Sequence, residues 1–412
     1  MQKHVTTTFL KAAAAIGLGI FCALFAWGLK TTAEGSERLL FHFIQEHFIW
    51  LLLIAPLAGL FFIALIKKAF NTPISGLREI LNSLREPTQT LSPIKAIVHF
   101  LTGFITIVFG GSTGIEVSTV VASAAGGSLA GRYKGFSLEF KRLLIVAGAA
   151  AGIAGLFKSP LAGIFFAMEV LMVGFSWELI AIAALAAFTA FAVRYSISSE
   201  TLFHPSLNGW RWQALPFYGI LSLVAAVCSV MLTKGVIKSK AVFNSRLGDN
   251  GKILIGGMLL GIIIILFVPL YGEGYAVIED LLNNKIPFGG LSNISGILLL
   301  AFLLVLKPMA TSITLASGGD GGVFAPSLFL GAVAGFLLAQ GVNYFGGSVI
   351  EVNFIIVGMA AILSGSLHAP LTASFLVMSI TGSYELFIPI LITSYLSSYL
   401  AKKIFPFTVY SY

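Results

Sequence analysis

The chain has 412 residues, of which 57% are hydrophobic and only 10% charged, whereas a soluble globular domain carries about a quarter charged residues. That composition excludes a soluble fold and defines a polytopic membrane protein. The net charge of +8 collects in short segments between apolar runs, without interleaved base-stacking aromatics, which argues against a nucleic-acid partner.

The first apolar run, 12–29, follows Lys3 and Lys11 but has no small-residue cleavage site, and more such runs follow it. It reads as a retained helix. The stretch 31–48, with Glu34, Glu37 and Glu46, reads as an external connection. Further apolar runs occupy 49–66, 143–157, 179–193, 215–232, 253–270, 297–305, 323–339 and 387–400. Several are shorter than the roughly 20 residues of a full helical crossing. An all-α architecture with tilted, broken and re-entrant helices is therefore expected, since freed backbone is tolerated where protein or a cavity surrounds it.

Charge divides the connections. Lys67, Lys68, Arg78 and Arg85, then Arg132, Lys134, Lys141 and Arg142, then Lys234, Lys238, Lys240 and Arg246 form basic clusters, which the positive-inside rule places in the cytoplasm. Residues 273–284, with Glu279 and Asp280, are poor in Lys and Arg and read as external. Lys3, Lys11, Lys402 and Lys403 then put both termini on the cytoplasmic side of the cell (plasma) membrane. Cys22 and Cys228 lie in apolar runs without CxxC or His-rich company, so neither a disulfide nor a metal site follows.

An internal repeat organises the chain. VAGAAAGIAGLFKSPLAGIFFAM (146–168) aligns without gaps to IVGMAAILSGSLHAPLTASFLVM (356–378), an offset of 210. Gly148/Gly358, Pro160/Pro370, Phe165/Phe375 and Met168/Met378 coincide. We read one membrane domain, 1–412, with halves at about 49–195 and 214–405, an arrangement that places a transporter's site between the halves near the midplane. Ahead of each repeat stands a glycine-rich turn, GGSTGIEVSTVV (110–121) and SGGDGGVFAPSL (317–328). A slide of 208 pairs Gly110, Gly111 and Gly114 with Gly318, Gly319 and Gly322, and Glu116 with Phe324. Each turn leads into an apolar helix, whose first N–H groups and dipole make an anion site. The bland alternative is tight helix packing through small residues.

At these motifs the chain resembles the CLC family of chloride channels and chloride/proton exchangers, over about residues 50–412. GGVFAPSL (321–328) fits that family's GGxFxP pattern, and GIEVST (114–119) stands where the family has G(K/R)EGP, with the acid kept. ISGLREI (74–80) replaces GSGIPE with Ser75 on the central serine, and Tyr410 takes the place of the pore tyrosine. The resemblance implies an inverted-repeat fold and a homodimer with one path per subunit. It also implies an anion site formed by Ile74, Ser75, Gly76, Gly114, Ile115, Val117, Val323, Phe324, Ala325 and Tyr410, with bound chloride and no other cofactor. Nothing in the sequence resembles the family's cytoplasmic CBS pair.

Glu116 is the gate in this reading: an ionisable group inside a membrane is costly without water or a partner, and its carboxylate competes with the anion. Glu169 takes the family's structural-acid position. Val170 follows it where proton-coupled members carry an inner relay glutamate. That apolar residue favours passive conduction, with proton-coupled antiport as the alternative. Ile115, Val117, Ser118 and Arg78 depart from the family's residues and leave the choice among chloride, nitrate, bicarbonate and fluoride open, although Ser75 argues against the fluoride branch. An intramembrane enzyme assembled from Ser75, His99, Glu116, Asp320 and His368 is a remote alternative, since no GxSxG or HExxH motif is present. A transport-dead scaffold is another.

Overall fold

A computed structural model describes residues 2–71, 76–86, 91–133, 136–172, 174–207, 209–283 and 294–411. Sixteen α-helices account for most of them, and the described residues hold no strand. The first eight are α1 (Gln2–His47), α2 (Leu51–Phe70), α3 (Leu77–Arg85), α4 (Pro93–Val108), α5 (Glu116–Ala130), α6 (Leu138–Phe157), α7 (Pro160–Glu169) and α8 (Trp177–Ile197). The second eight are α9 (Leu215–Arg246), α10 (Asp249–Leu266), α11 (Tyr275–Leu282), α12 (Ile294–Ala316), α13 (Phe324–Tyr344), α14 (Glu351–Leu367), α15 (Pro370–Thr381) and α16 (Phe387–Ile404).

The two sets repeat each other at the offsets seen in the sequence. Helices α4 and α12 end 208 residues apart, at Val108 and Ala316, and α5 and α13 begin 208 apart, at Glu116 and Phe324. Lys158 and His368, 210 apart, end α6 and α14 in the left-handed conformation, with φ of 53° and 56°. Two residues later α7 and α15 open on Pro160 and Pro370, the position where a missing N–H costs nothing.

Equivalent residues also touch. The Ser112 N–H donates to Thr314 Oγ1 at 3.2 Å and, in the mirrored bond, the Asp320 N–H donates to Thr106 Oγ1 at 2.9 Å. The Phe165 and Phe375 rings stack with centroids 5.2 Å apart. A pseudo-twofold axis therefore runs between the halves.

Eight helical segments among the described residues are long and apolar enough to cross a bilayer, while Pro93–Val108, Pro160–Glu169, Glu351–Leu367 and Pro370–Thr381 are apolar but shorter. Burial does not follow length: Ile94 and Ile97 on the short α4 are exposed, whereas Val352 to Leu367 on the short α14 and Leu143 to Phe157 on the longer α6 are all buried, so protein and not lipid surrounds these two helices. Close backbone approach makes this possible at Gly331 and Gly358, where a Cβ on either residue would run into the other helix's backbone.

One expectation is corrected. The stretch 31–48 is not a connection: α1 continues unbroken through it to His47. Ion pairs at i,i+4 spacing support the polar turns, Lys30–Glu34 at 3.5 Å and Glu34–Arg38 at 3.4 Å, and His42 contacts Glu46 at 3.3 Å, while Ile44 anchors the far end in a small apolar cluster with Leu52 and Leu260. Similarly, 273–284 contains the helix α11, and the run 253–270 breaks at Phe267 into a short 3-10 turn, Val268–Leu270.

Candidate anion site

The two glycine-rich turns meet on the pseudo-twofold axis. The Gly114 N–H donates to the Gly322 carbonyl at 3.0 Å and the Gly322 N–H donates back to the Gly114 carbonyl at 2.9 Å. This two-bond clamp holds the N-termini of α5 and α13 side by side. Each turn is shaped alike: Gly110 and Gly318 have φ of 85° and 100°, where a side chain is strained, and the next residues, Gly111 and Gly319, return their N–H to the Thr106 and Thr314 carbonyls. Phe324 and Ala325 open α13 fully buried, with Val323 as its cap. The Val323 N–H donates to the Tyr410 hydroxyl at 3.2 Å, so Tyr410 reaches the second helix start.

Glu116 lies on one side of the clamp and is 1% exposed. Its Oε1 accepts the Tyr275 hydroxyl at 2.8 Å, while its Oε2 is buried with no hydrogen-bond partner among the described residues. A carboxylate at a helix N-terminus is favoured by the dipole. Charged neighbours come from distant segments. Glu273, itself buried, accepts the Ile115 N–H at 3.0 Å, so that amide is taken by a protein carboxylate. Lys307, fully buried on α12, donates to the Gly272 carbonyl at 2.9 Å. Lys30 sits 5.8 Å from the centre of the Tyr275 ring.

On the other side opens a cavity of about 1010 Å³ whose floor includes Gly76, Val117, Gly322, Val323 and Tyr410. Its walls gather the basic clusters: Lys67 and Lys68 from α2, Arg78 from α3, Lys240 from α9 and Lys252 from α10, against the carboxylates of Asp249 and Asp320. Lys67 also donates to the Gly318 carbonyl at 2.7 Å, tying α2 to the second glycine turn. A predominantly positive funnel raises the local concentration of anions. A second cavity, of about 510 Å³, adjoins Tyr410 and is lined by Arg78, Arg85, Arg142 and Leu171 among others.

Of the residues singled out in the sequence, the structure brings Gly76, Gly114, Ile115, Glu116, Val117, Val323, Phe324, Ala325 and Tyr410 to this junction. Ile74 and Ser75 lie outside the described residues. Glu169 stands apart: its carboxylate accepts the Leu371 N–H at 3.0 Å, the Thr372 N–H at 2.8 Å and the Thr372 hydroxyl at 2.7 Å, so it caps the start of α15. Val170 ends α7, 8% exposed, beside Leu171 of the second cavity. His99 and Asp320 form a buried contact, whereas His368 is the left-handed end of α14; of the five residues of the enzyme alternative, Ser75 lies outside the described residues. Tyr275, Glu273, Lys307 and Lys30 were not singled out from the sequence. Lys307 alone carried a signal there, a charge in the middle of an apolar helix.

Two repeated helical halves clamped at their glycine turns, with a basic cavity leading to paired helix N-termini, define a membrane protein of the anion-transporting inverted-repeat class. The sequence profile of the family described as "Voltage gated chloride channel" matches residues 58–402, and the chain belongs to that family. It is 29% identical over 319 residues to the "Voltage-gated ClC-type chloride channel ClcB" of Salmonella typhimurium, covering 75% of this chain and 73% of that one. It is also 29% identical over 346 residues to the "H(+)/Cl(-) exchange transporter ClcA" of Salmonella newport, covering 80% and 70%. The fold matches that of a slow cyanobacterial Cl-/H+ antiporter with a TM-score of 0.84 at 22% identity, over 97% of this chain and 96% of the other.

Proposed function

We propose that the protein conducts chloride, or a similar small anion, passively across the cell membrane along a path from the basic cavity, past the Gly114–Gly322 clamp, to Glu116. The observation that carries this reading is the junction itself: two helix N-termini held together, a cavity rich in cations that reaches Gly322 and Val117, and a buried carboxylate with an unpaired oxygen at the start of α5. Neutral donors, the Tyr410 hydroxyl, itself positioned by the Val323 N–H, and the Phe324 amide, replace part of an anion's hydration without holding it too tightly to leave. Ionised Glu116 occupies the outer end of the path as a tethered competitor and clears it when protonated.

Val170 supports passive conduction, because the position beyond Glu169 offers no proton carrier. Proton-coupled exchange is the second reading, supported by the relative named as an H(+)/Cl(-) exchange transporter. The gathering of Lys67, Lys68, Arg78, Lys240 and Lys252 around one cavity supports a cytoplasmic mouth and cytoplasmic termini under the positive-inside rule. The working unit is a homodimer with chloride bound in each subunit. Glu116→Gln and Glu116→Ala are expected to make anion flux from liposomes insensitive to external pH; a pH-dependent flux that survives both substitutions removes Glu116 from the gate.

A further inference from the structure

We propose that His99, oriented by Asp320, is a proton-dependent ligand of the inner anion site, so that a proton and an anion entering from the basic cavity favour each other's binding. This rests on the anion path described above.

His99 lies on α4 and is 3% exposed. Its Nδ1 contacts Asp320 Oδ2, and Asp320 is fixed in turn. Oδ2 accepts the Thr102 hydroxyl at 2.6 Å, Oδ1 accepts the Gly321 N–H at 2.7 Å and the Asp320 N–H donates to Thr106 Oγ1 at 2.9 Å. A carboxylate on one ring nitrogen sets the tautomer: the proton of a neutral imidazole stays on Nδ1, and Nε2 is a bare acceptor. That Nε2 is buried and has no hydrogen-bond partner among the described residues. A Cβ on Gly76 would stand 3.3 Å from it and 3.7 Å from Val117 Cγ1. His99, Asp320, Gly76 and Val117 all line the cavity together with Val323 and Tyr410.

The two protonation states treat an anion oppositely. With imidazole neutral, Asp320 is a negative charge in the cavity wall and Nε2 presents a lone pair. With imidazolium, the pair is neutral overall and Nε2–H becomes a donor. An anion therefore prefers the protonated site, and by linkage the proton prefers the occupied site by the same factor.

The other charges facing this place are Lys67 and Lys68 on α2, Arg78 on α3, Lys240 on α9 and Asp249 and Lys252 on α10. Lys95, one turn before His99, is paired with Glu79 at 3.1 Å, and Glu116 stands behind Val117. Among the described lining residues, His99 is the group whose ordinary titration falls between pH 5 and 8. The inner side thus gains a proton-binding group that Val170 does not supply.

The test is calorimetric titration of sodium chloride into the purified full chain at pH 5.5 and 7.5, in a Glu116→Gln background that removes the gating carboxylate. Chloride is expected to bind about fivefold tighter or more at pH 5.5, the lower end of usual coupling between sites. Adding His99→Gln is expected to give one affinity at both pH values, and adding Asp320→Asn instead is expected to tighten binding at pH 7.5. Equal affinity at both pH values in Glu116→Gln, or a pH dependence that survives His99→Gln, overturns the proposal while leaving the anion path intact. Absence of chloride binding in every variant at both pH values overturns the anion path, and the proposal with it.

Discussion

Tyr275→Phe isolates the grip on the gate. The Tyr275 hydroxyl donates to Glu116 Oε1 at 2.8 Å, and it favours the ionised carboxylate, the blocking form in the proposed path, because the donor is worth most against a full charge. A hydrogen bond to a charged group contributes about 1.5–3 kcal/mol, and about 1.4 kcal/mol corresponds to one pH unit of proton affinity. Removing the hydroxyl leaves both carboxylate oxygens without a donor side chain, so the blocked state is expected to lose roughly ten- to hundredfold in population relative to the protonated, open one. In liposomes, chloride efflux against external pH should keep its shape, with its midpoint moved about 1–2 units toward alkaline pH. A midpoint within about 0.3 unit of the parent in well-folded protein would refute the assignment of Tyr275 as the latch and leave its bond to Glu116 without functional consequence.

Glu169→Ala removes the acceptor of three hydrogen bonds at the start of α15. It is expected to cost about 3 kcal/mol or more, seen as a lower Tm in detergent, with Glu169→Gln recovering part of it and the pH profile of flux unchanged. Lys240→Gln takes one charge from the mouth of the basic cavity. Flux should fall several-fold at low ionic strength and converge with the parent at high salt, because a charge at the mouth acts over about a Debye length.

Much of the site's frame was legible because glycine and proline mark backbone geometry directly. The 208-residue pairing of Gly114 with Gly322 became a physical contact, and the offset of 210 brought Phe165 onto Phe375. What escaped the sequence was the setting of Glu116. Tyr275, Glu273, Lys307 and Lys30 come from α11, the turn before it, α12 and α1, and no local motif links segments so far apart. The extent of α1 was hidden for another reason: Glu34 and Arg38 look like a solvated connection by hydropathy, yet ion pairs one turn apart keep them helical. His99 and Asp320 were visible as residues but not as a pair, since only the inverted repeat carries Thr102 and the second glycine turn to the same place.

The most direct measurement records chloride and proton movement together in liposomes of the purified protein under an outward chloride gradient. Passive conduction through the Glu116-gated path predicts chloride efflux once charge is shunted by a potassium ionophore, with no uphill proton uptake. Proton uptake driven against its own gradient by chloride would contradict the account and make the protein an exchanger.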